Sequence, residues 1–122
     1  MRQPHVLLIE GDVAIRAATH LLLRVAGYHV SVAACTAEAV EHARRHADIE
    51  VVICDDHLGY TECGTEAIAA VRAICAPVLR AVLMCGDAGL LRADTERDSR
   101  TSVSQMPARA EELLALLPSP QS

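Results

Sequence analysis

The chain has 122 residues, 52% of them hydrophobic, and a formal net charge of -5, which is the length of one ordinary domain with ample material for a core. The acidic balance argues against nucleic acid, whose binders present a basic stripe, and no apolar run approaches the roughly 18 residues of a membrane span. Met1-Arg2-Gln3-Pro4 has too short an apolar follow-on to open a secretory signal.

With no Phe, no Trp and two Tyr, the core must be aliphatic. Cysteines stand at 35, 54, 63, 75 and 85 without a CxxC pair, so neither a zinc knuckle nor a thioredoxin-type site is indicated. Reduced thiols in a cytoplasmic protein are expected. All 11 basic residues are arginine, and lysine is absent.

Taken in order, strands and helices alternate. His5 to Ile9 is a continuous apolar strand of the kind buried on both faces of a parallel sheet. Asp12 suits the N-cap of a helix to about Ala26, with Ile15, Ala18, Leu22 and Val25 facing inward and Arg16, His20 and Arg24 on a solvated stripe. Gly27 ends that helix. Tyr28 to Val32 reads as a second, more exposed strand. Thr36 is a candidate N-cap for a helix to about Ala47, with Ala39, Val40 and Ala43 inward. His42 and His46, one turn apart, can in principle hold a metal, but their charged neighbours favour plain surface histidines.

Val51 to Cys54 is a third strand, followed by a loop through Gly59 and a helix from about Thr65 to Ile74. Pro77 precedes a fourth strand, Val78 to Met84. Residues 88–98 form a poor helix, and Thr101 to Ser104 is the weakest strand of the set. Ala108 to Leu117 is a final helix, and residues 118–122 read as a frayed end or the start of a linker. Five βα units with right-handed crossovers make a three-layer α/β sandwich whose parallel sheet has strand order 2-1-3-4-5.

Two of these strands switch abruptly from apolar residues to acids: Ile9-Glu10-Gly11-Asp12 after the first, and Cys54-Asp55-Asp56-His57 after the third. Chemistry in such sheets sits just beyond the carboxyl ends of the strands. Glu10, Asp12 and Asp55 are therefore the candidates for a shared acidic pocket.

Order, lengths and acids together resemble the receiver domain of two-component response regulators, over residues 1–117. The anchors are Leu8-Ile9-Glu10, Ala26-Gly27-Tyr28, Cys54-Asp55-Asp56-His57-Leu58-Gly59, Gly64, Gly86-Asp87 and Met106-Pro107. The Asp-x-His-Leu-Gly segment is similar to receivers attached to hybrid histidine kinases. The resemblance implies a flavodoxin-like (βα)5 fold and a phosphorelay module, not an enzyme, whose partner is a histidine kinase or an attached kinase or output domain. It further implies that Asp55 is the phosphoacceptor. Mg²⁺ would be held by Asp55, by the backbone carbonyl of His57, and by Glu10 through water.

Three positions depart from that pattern. Gly11 stands where the family has a second acid that ligates the metal directly. Cys85 replaces a hydroxyl donor, and a thiol donates weakly. Met106 replaces a lysine whose charge-assisted bond contributes roughly 1.5–3 kcal/mol. The expected function is a receiver with weak Mg²⁺ binding and impaired phosphorylation and switching. The alternatives are a slowly working phosphoacceptor or, further off, a thiol-based redox sensor using Cys54 and Cys85.

Overall fold

The structure, a computed structural model, describes residues 2–59, 61–86, 98–106 and 109–120. In chain order the elements are β1 (His5–Ile9), α1 (Val13–Val25), β2 (His29–Ala33), α2 (Thr36–Arg45), β3 (Ile49–Asp55), β4 (His57–Leu58), β5 (Glu62–Cys63), α3 (Gly64–Ile74), β6 (Arg80–Cys85), β7 (Thr101–Gln105) and α4 (Ala110–Ala115). Five strands form one parallel sheet in the order β2-β1-β3-β6-β7, which is the expected 2-1-3-4-5 winding. The loop after β3 holds a small antiparallel pair, β4 with β5, that the sequence reading left as irregular chain.

Strand alternation divides the aliphatic side chains between two cores. Leu7, Ile9, Val52, Cys54 and Leu83 face α2 and α3, where Ala39, Ala43, Ile68 and Val71 close the layer. Val6, Leu8, Val51, Ile53, Val82 and Met84 face the other way, against Leu23, Tyr28, Leu113 and Leu117. Full burial of each Leu, Ile or Val contributes about 1.5–3 kcal/mol, and β1 is buried along its whole length. The central strands are thereby fixed in register, with Ile9 beside Cys54 and Asp55 beside Met84.

The α1 expectation is corrected. Leu23 is its buried residue, with Leu22 and Ala26 half-buried, whereas Ile15 is 36% and Val25 80% exposed. Arg16 turns inward from the supposed solvated stripe, and its Nη1 donates to the Glu10 carbonyl at 2.7 Å. Val13, Leu21 and Val25 line an outer face. Asp12 caps α1 as expected, accepting from the Ile15 N–H at 3.0 Å. The far end is a Schellman turn: Gly27, at φ 104°, donates to Arg24 and Tyr28 donates to Leu23.

Other boundaries move by a few residues. Thr36 is the first residue of α2 rather than its cap, and Cys35 holds the cap position without a side-chain bond. His42 and His46 are half-buried rather than plain surface residues, and His42 Nε2 lies 2.8 Å from the Val32 carbonyl oxygen. The weak fifth strand pairs with β6 over its whole length because Leu83 and Val103 fall in register. Asp87, Pro107 and residues 88–97 of the expected poor helix at 88–98 lie outside the described residues. The Tyr28 hydroxyl donates to the Pro118 carbonyl at 2.7 Å, so the chain beyond α4 lies against the start of β2.

Gly64 opens α3 under a close-approach constraint. Its N–H donates to the Asp56 carbonyl at 2.7 Å, and a Cβ there would lie 2.3 Å from the Asp55 carbonyl oxygen and 2.7 Å from Leu83 Cδ1. Backbone on one side and core on the other leave no room to yield. Gly64→Ala should therefore destabilise the fold by about 2 kcal/mol or more, and should perturb Asp55, which urea unfolding and amide chemical shifts would register.

Candidate functional site

The register of β1 and β3 builds the site. Ile9 pairs with Cys54, so the next residues, Glu10 and Asp55, emerge side by side at the carboxyl edge of the sheet. Gly11, Asp12, Ala34, His57, Leu58 and Gly59 complete an open cleft around them. Gly59, at φ 77°, turns the chain after β4 toward its antiparallel partner β5. Glu62 on β5 accepts from the Thr36 N–H at 2.9 Å, tying the hairpin to the first turn of α2.

Glu10 is 1% exposed, and its Oε1 is buried without a hydrogen-bond partner. Its other oxygen accepts a long bond, 3.4 Å, from the Asp12 N–H, and the Gly11 N–H also reaches the carboxylate. Burial first, and then the adjacent Asp55 carboxyl, push the Glu10 carboxyl up to about 7. Arg16 does not neutralise it, because that guanidinium is committed to the Glu10 backbone carbonyl. Among the described residues no cationic side chain pairs with Glu10, Asp12 or Asp55.

Asp55 is half-buried, and its Oδ1 accepts from the His57 N–H at 3.2 Å. That bond orients the carboxylate, which lines the cleft beside Glu10. The His57 imidazole is 83% exposed and lies 3.5 Å from Asp56 Oδ2, so it turns away from Glu10 and Asp55. Asp56 is held by the sheet, its N–H donating to the Met84 carbonyl at 2.8 Å.

The three departing positions are all placed at this edge. Gly11 lines the cleft, and a Cβ on it would meet nothing closer than the Ala34 carbonyl oxygen at 3.6 Å. Cys85 ends β6 and is buried; its carbonyl accepts from the Met106 N–H at 2.8 Å. The Met106 side chain packs with the core between the sheet and α1 and α4. Asp12, the expected third acid of the pocket, lines the cleft while serving as the α1 cap. The sequence reading missed Arg16 and Glu62, which position this edge without joining its chemistry. Arg16 lies one turn beyond Asp12 on α1, which was the available signal.

No family model matches the sequence, and neither does any curated protein. Solved structures do match in fold. A response regulator receiver protein from Pseudomonas putida is 24% identical with a TM-score of 0.81, over 95% of this chain and 96% of that one. This is the receiver fold. A chemotaxis protein from Vibrio cholerae is 23% identical with a TM-score of 0.81, over 93% and 94% of the two chains. The receiver domain of a sensor histidine kinase from Pseudomonas aeruginosa, solved with a magnesium ion coordinated in its active site cleft, is 20% identical with a TM-score of 0.79, over 93% of each chain.

A cleft holding a carboxyl raised to about 7 has a pH signature. Glu10 binds its proton more tightly folded than unfolded. Its contribution is therefore fully present below the ordinary value of 4.5 and is lost as pH rises toward and through 7. His5, whose pKa burial lowers, acts in the opposite sense below its ordinary value, so the comparison must be with a variant. Glu10→Gln should remove the decline between pH 4.5 and 7 and be the more stable protein at pH 8, by on the order of 2 kcal/mol. Urea unfolding of both proteins across pH measures it.

Proposed function

We propose that the chain is a receiver-type signalling domain of a two-component phosphorelay, not an enzyme. Asp55 is its phosphoacceptor, and its Mg²⁺-dependent phosphorylation and switching are impaired. The observation that supports this best is the placement of Asp55 at the end of β3 beside a buried Glu10 whose Oε1 has no partner.

That orphaned oxygen, with the adjacent carboxyl that raises Glu10, fits a hard divalent cation, which takes oxygen ligands. Asp55, the His57 carbonyl and Glu10 through water would hold Mg²⁺. When bound, the ion neutralises the crowded charge around the phosphoryl oxygens. The chain itself supplies the nucleophile, the Asp55 carboxylate, oriented by the bond of Oδ1 to the His57 N–H. The oxygen–phosphorus bond forms as the phosphorus–nitrogen bond of a phosphohistidine donor breaks.

The impairment is read from what the edge lacks. With Gly11 supplying no carboxylate and Asp12 committed to Ile15, Mg²⁺ affinity is weak. The Met106 thioether cannot donate a proton, and its packing against the core holds it to a structural role. Loss of that charge-assisted bond removes roughly 1.5–3 kcal/mol from the phosphorylated state. The redox reading is disfavoured, because burial pushes the Cys54 thiol far up, and a protonated buried thiol is inert.

The partner is a histidine kinase or an attached kinase or output domain. The outer face of α1 begins at the cleft and exposes Leu21 by 65% and Val25 by 80%, which suits a protein partner. Neither nucleic acid nor membrane is a partner. Among the described residues no helix is long and apolar enough to cross a membrane. The working compartment is the cytoplasm, in keeping with the unbridged cysteines.

Incubation with acetyl phosphate and Mg²⁺, read by intact mass, tests the proposal. Slow, partial gain of one phosphoryl group is expected, and none in Asp55→Asn. Rapid stoichiometric gain would refute the impairment, and gain by Asp55→Asn would refute the acceptor. Gly11→Asp has room for its Cβ and should raise Mg²⁺ affinity by completing the acidic pair. Calorimetric titration of the two proteins measures this, and an unchanged affinity would mean that Asp12 already serves as the ligand.

A further inference from the structure

Four of the six histidines meet at the opposite edge of the sheet from the acidic cleft. The register of β1 and β2 pairs His5 directly with His29, and their rings stack at 4.1 Å between centroids, 22° from parallel. His46, just past α2, sets its ring edge-on to His5 at 5.0 Å. Asp48, just before β3, brings Oδ1 to 2.9 Å from His5 Nδ1. His5 is 1% exposed, and its Nε2 lies 2.7 Å from the Ser31 hydroxyl.

We propose that His5, His29 and Asp48 bind a divalent transition-metal ion of the zinc class. One ligand atom from each residue lies within 4.8 Å of the others. Zinc with bonds of about 2.0–2.2 Å holds tetrahedral ligands about 3.4 Å apart, so closure asks the ligand atoms to draw together and the His29 ring to turn out of its stack on His5 until a nitrogen faces the ion. That movement falls on His29 and Asp48, which are exposed and can change rotamer, while His5 stays anchored in the sheet.

The bond from His5 to Ser31 is the support such a ligand needs. A serine hydroxyl can donate or accept. Without an ion, His5 Nδ1–H can donate to Asp48 while Ser31 donates to Nε2. With an ion on Nδ1, the proton resides on Nε2 and Ser31 accepts it. The buried partner is satisfied in both states. Two imidazoles and one carboxylate favour a borderline ion over Mg²⁺, which prefers oxygen ligands. The ion would tie the start of β1 to β2 and to the α2–β3 connection. This inference does not rest on the phosphorelay reading.

The test is calorimetric titration of the full chain with Zn²⁺, beside Co²⁺ absorption spectra and thermal unfolding. One ion per chain is expected, with a rise in Tm. His29→Ala and Asp48→Asn, both exposed positions whose folding circular dichroism can verify, should each weaken binding at least tenfold and abolish the rise in Tm. Asp55→Asn should bind unchanged. Absence of saturable binding would overturn the assignment, as would binding by either variant as tight as that of the unaltered chain. Thiolate-to-cobalt absorption would also overturn it by placing the ion on the cysteines, and loss of binding in Asp55→Asn would place it in the acidic cleft.

Discussion

The like charge of Glu10 and Asp55 is the constraint around which this molecule is organised. Their closeness is not a local choice. It follows from the pairing of Ile9 with Cys54, which the two aliphatic cores enforce along the whole of β1 and β3. A one-residue slip would invert every side chain of a fully buried strand. The sheet thus holds two acids together with a force far greater than their repulsion. The repulsion is relieved locally, by a proton on Glu10 or by a cation in the cleft.

The surrounding backbone softens that charge without cancelling it. The N–H groups of Gly11 and Asp12, at the entrance to α1, reach the Glu10 carboxylate, that of Asp12 at 3.4 Å. A helix N-terminus favours an anion by a few tenths to about 1 kcal/mol, less than burial of a carboxylate costs. Arg16 is near enough to help, yet its contact is with the Glu10 carbonyl. The full compensation must come from something that enters and leaves, a proton or an ion, and this is the property a switch requires.

Much of this was legible in the sequence because it rests on long apolar runs. Val6 to Ile9 and Val51 to Cys54 read as buried strands, and acids directly after them as residues at the sheet's edge. The orientation of α1 was not legible. Its Ala and Leu residues satisfy more than one helical face, and the face that is buried carries Leu22 and Leu23 together with Arg16, whose bond to a backbone carbonyl has no apolar signature. The histidine cluster was hidden for a different reason. His42 and His46 were visible as a pair on one helix, but His5, His29 and Asp48 are far apart in the chain and meet only through strand register. β7 was doubtful because its serines and threonine lack apolar alternation, and it forms because Val103 matches Leu83 on a strand already in place.

The two edges of the sheet differ in their donor chemistry, and that difference keeps them apart functionally. Strand β1 begins with His5 and runs into Glu10, so about 16 Å of chain separates the imidazole end from the carboxylate end. Oxygen donors at one edge select hard cations, and nitrogen donors at the other select borderline ones. Because β1 is buried along its length, it connects the two edges as a rigid rod. A shift of register at one edge would have to be transmitted to the other, whereas a rotation of an exposed side chain would not. The irregularity in the pairing of β1 with β3 falls between His5 and Val6. Adjustment around the imidazoles is thereby confined to the start of the strand, and the spacing of Glu10 and Asp55 is left to the core.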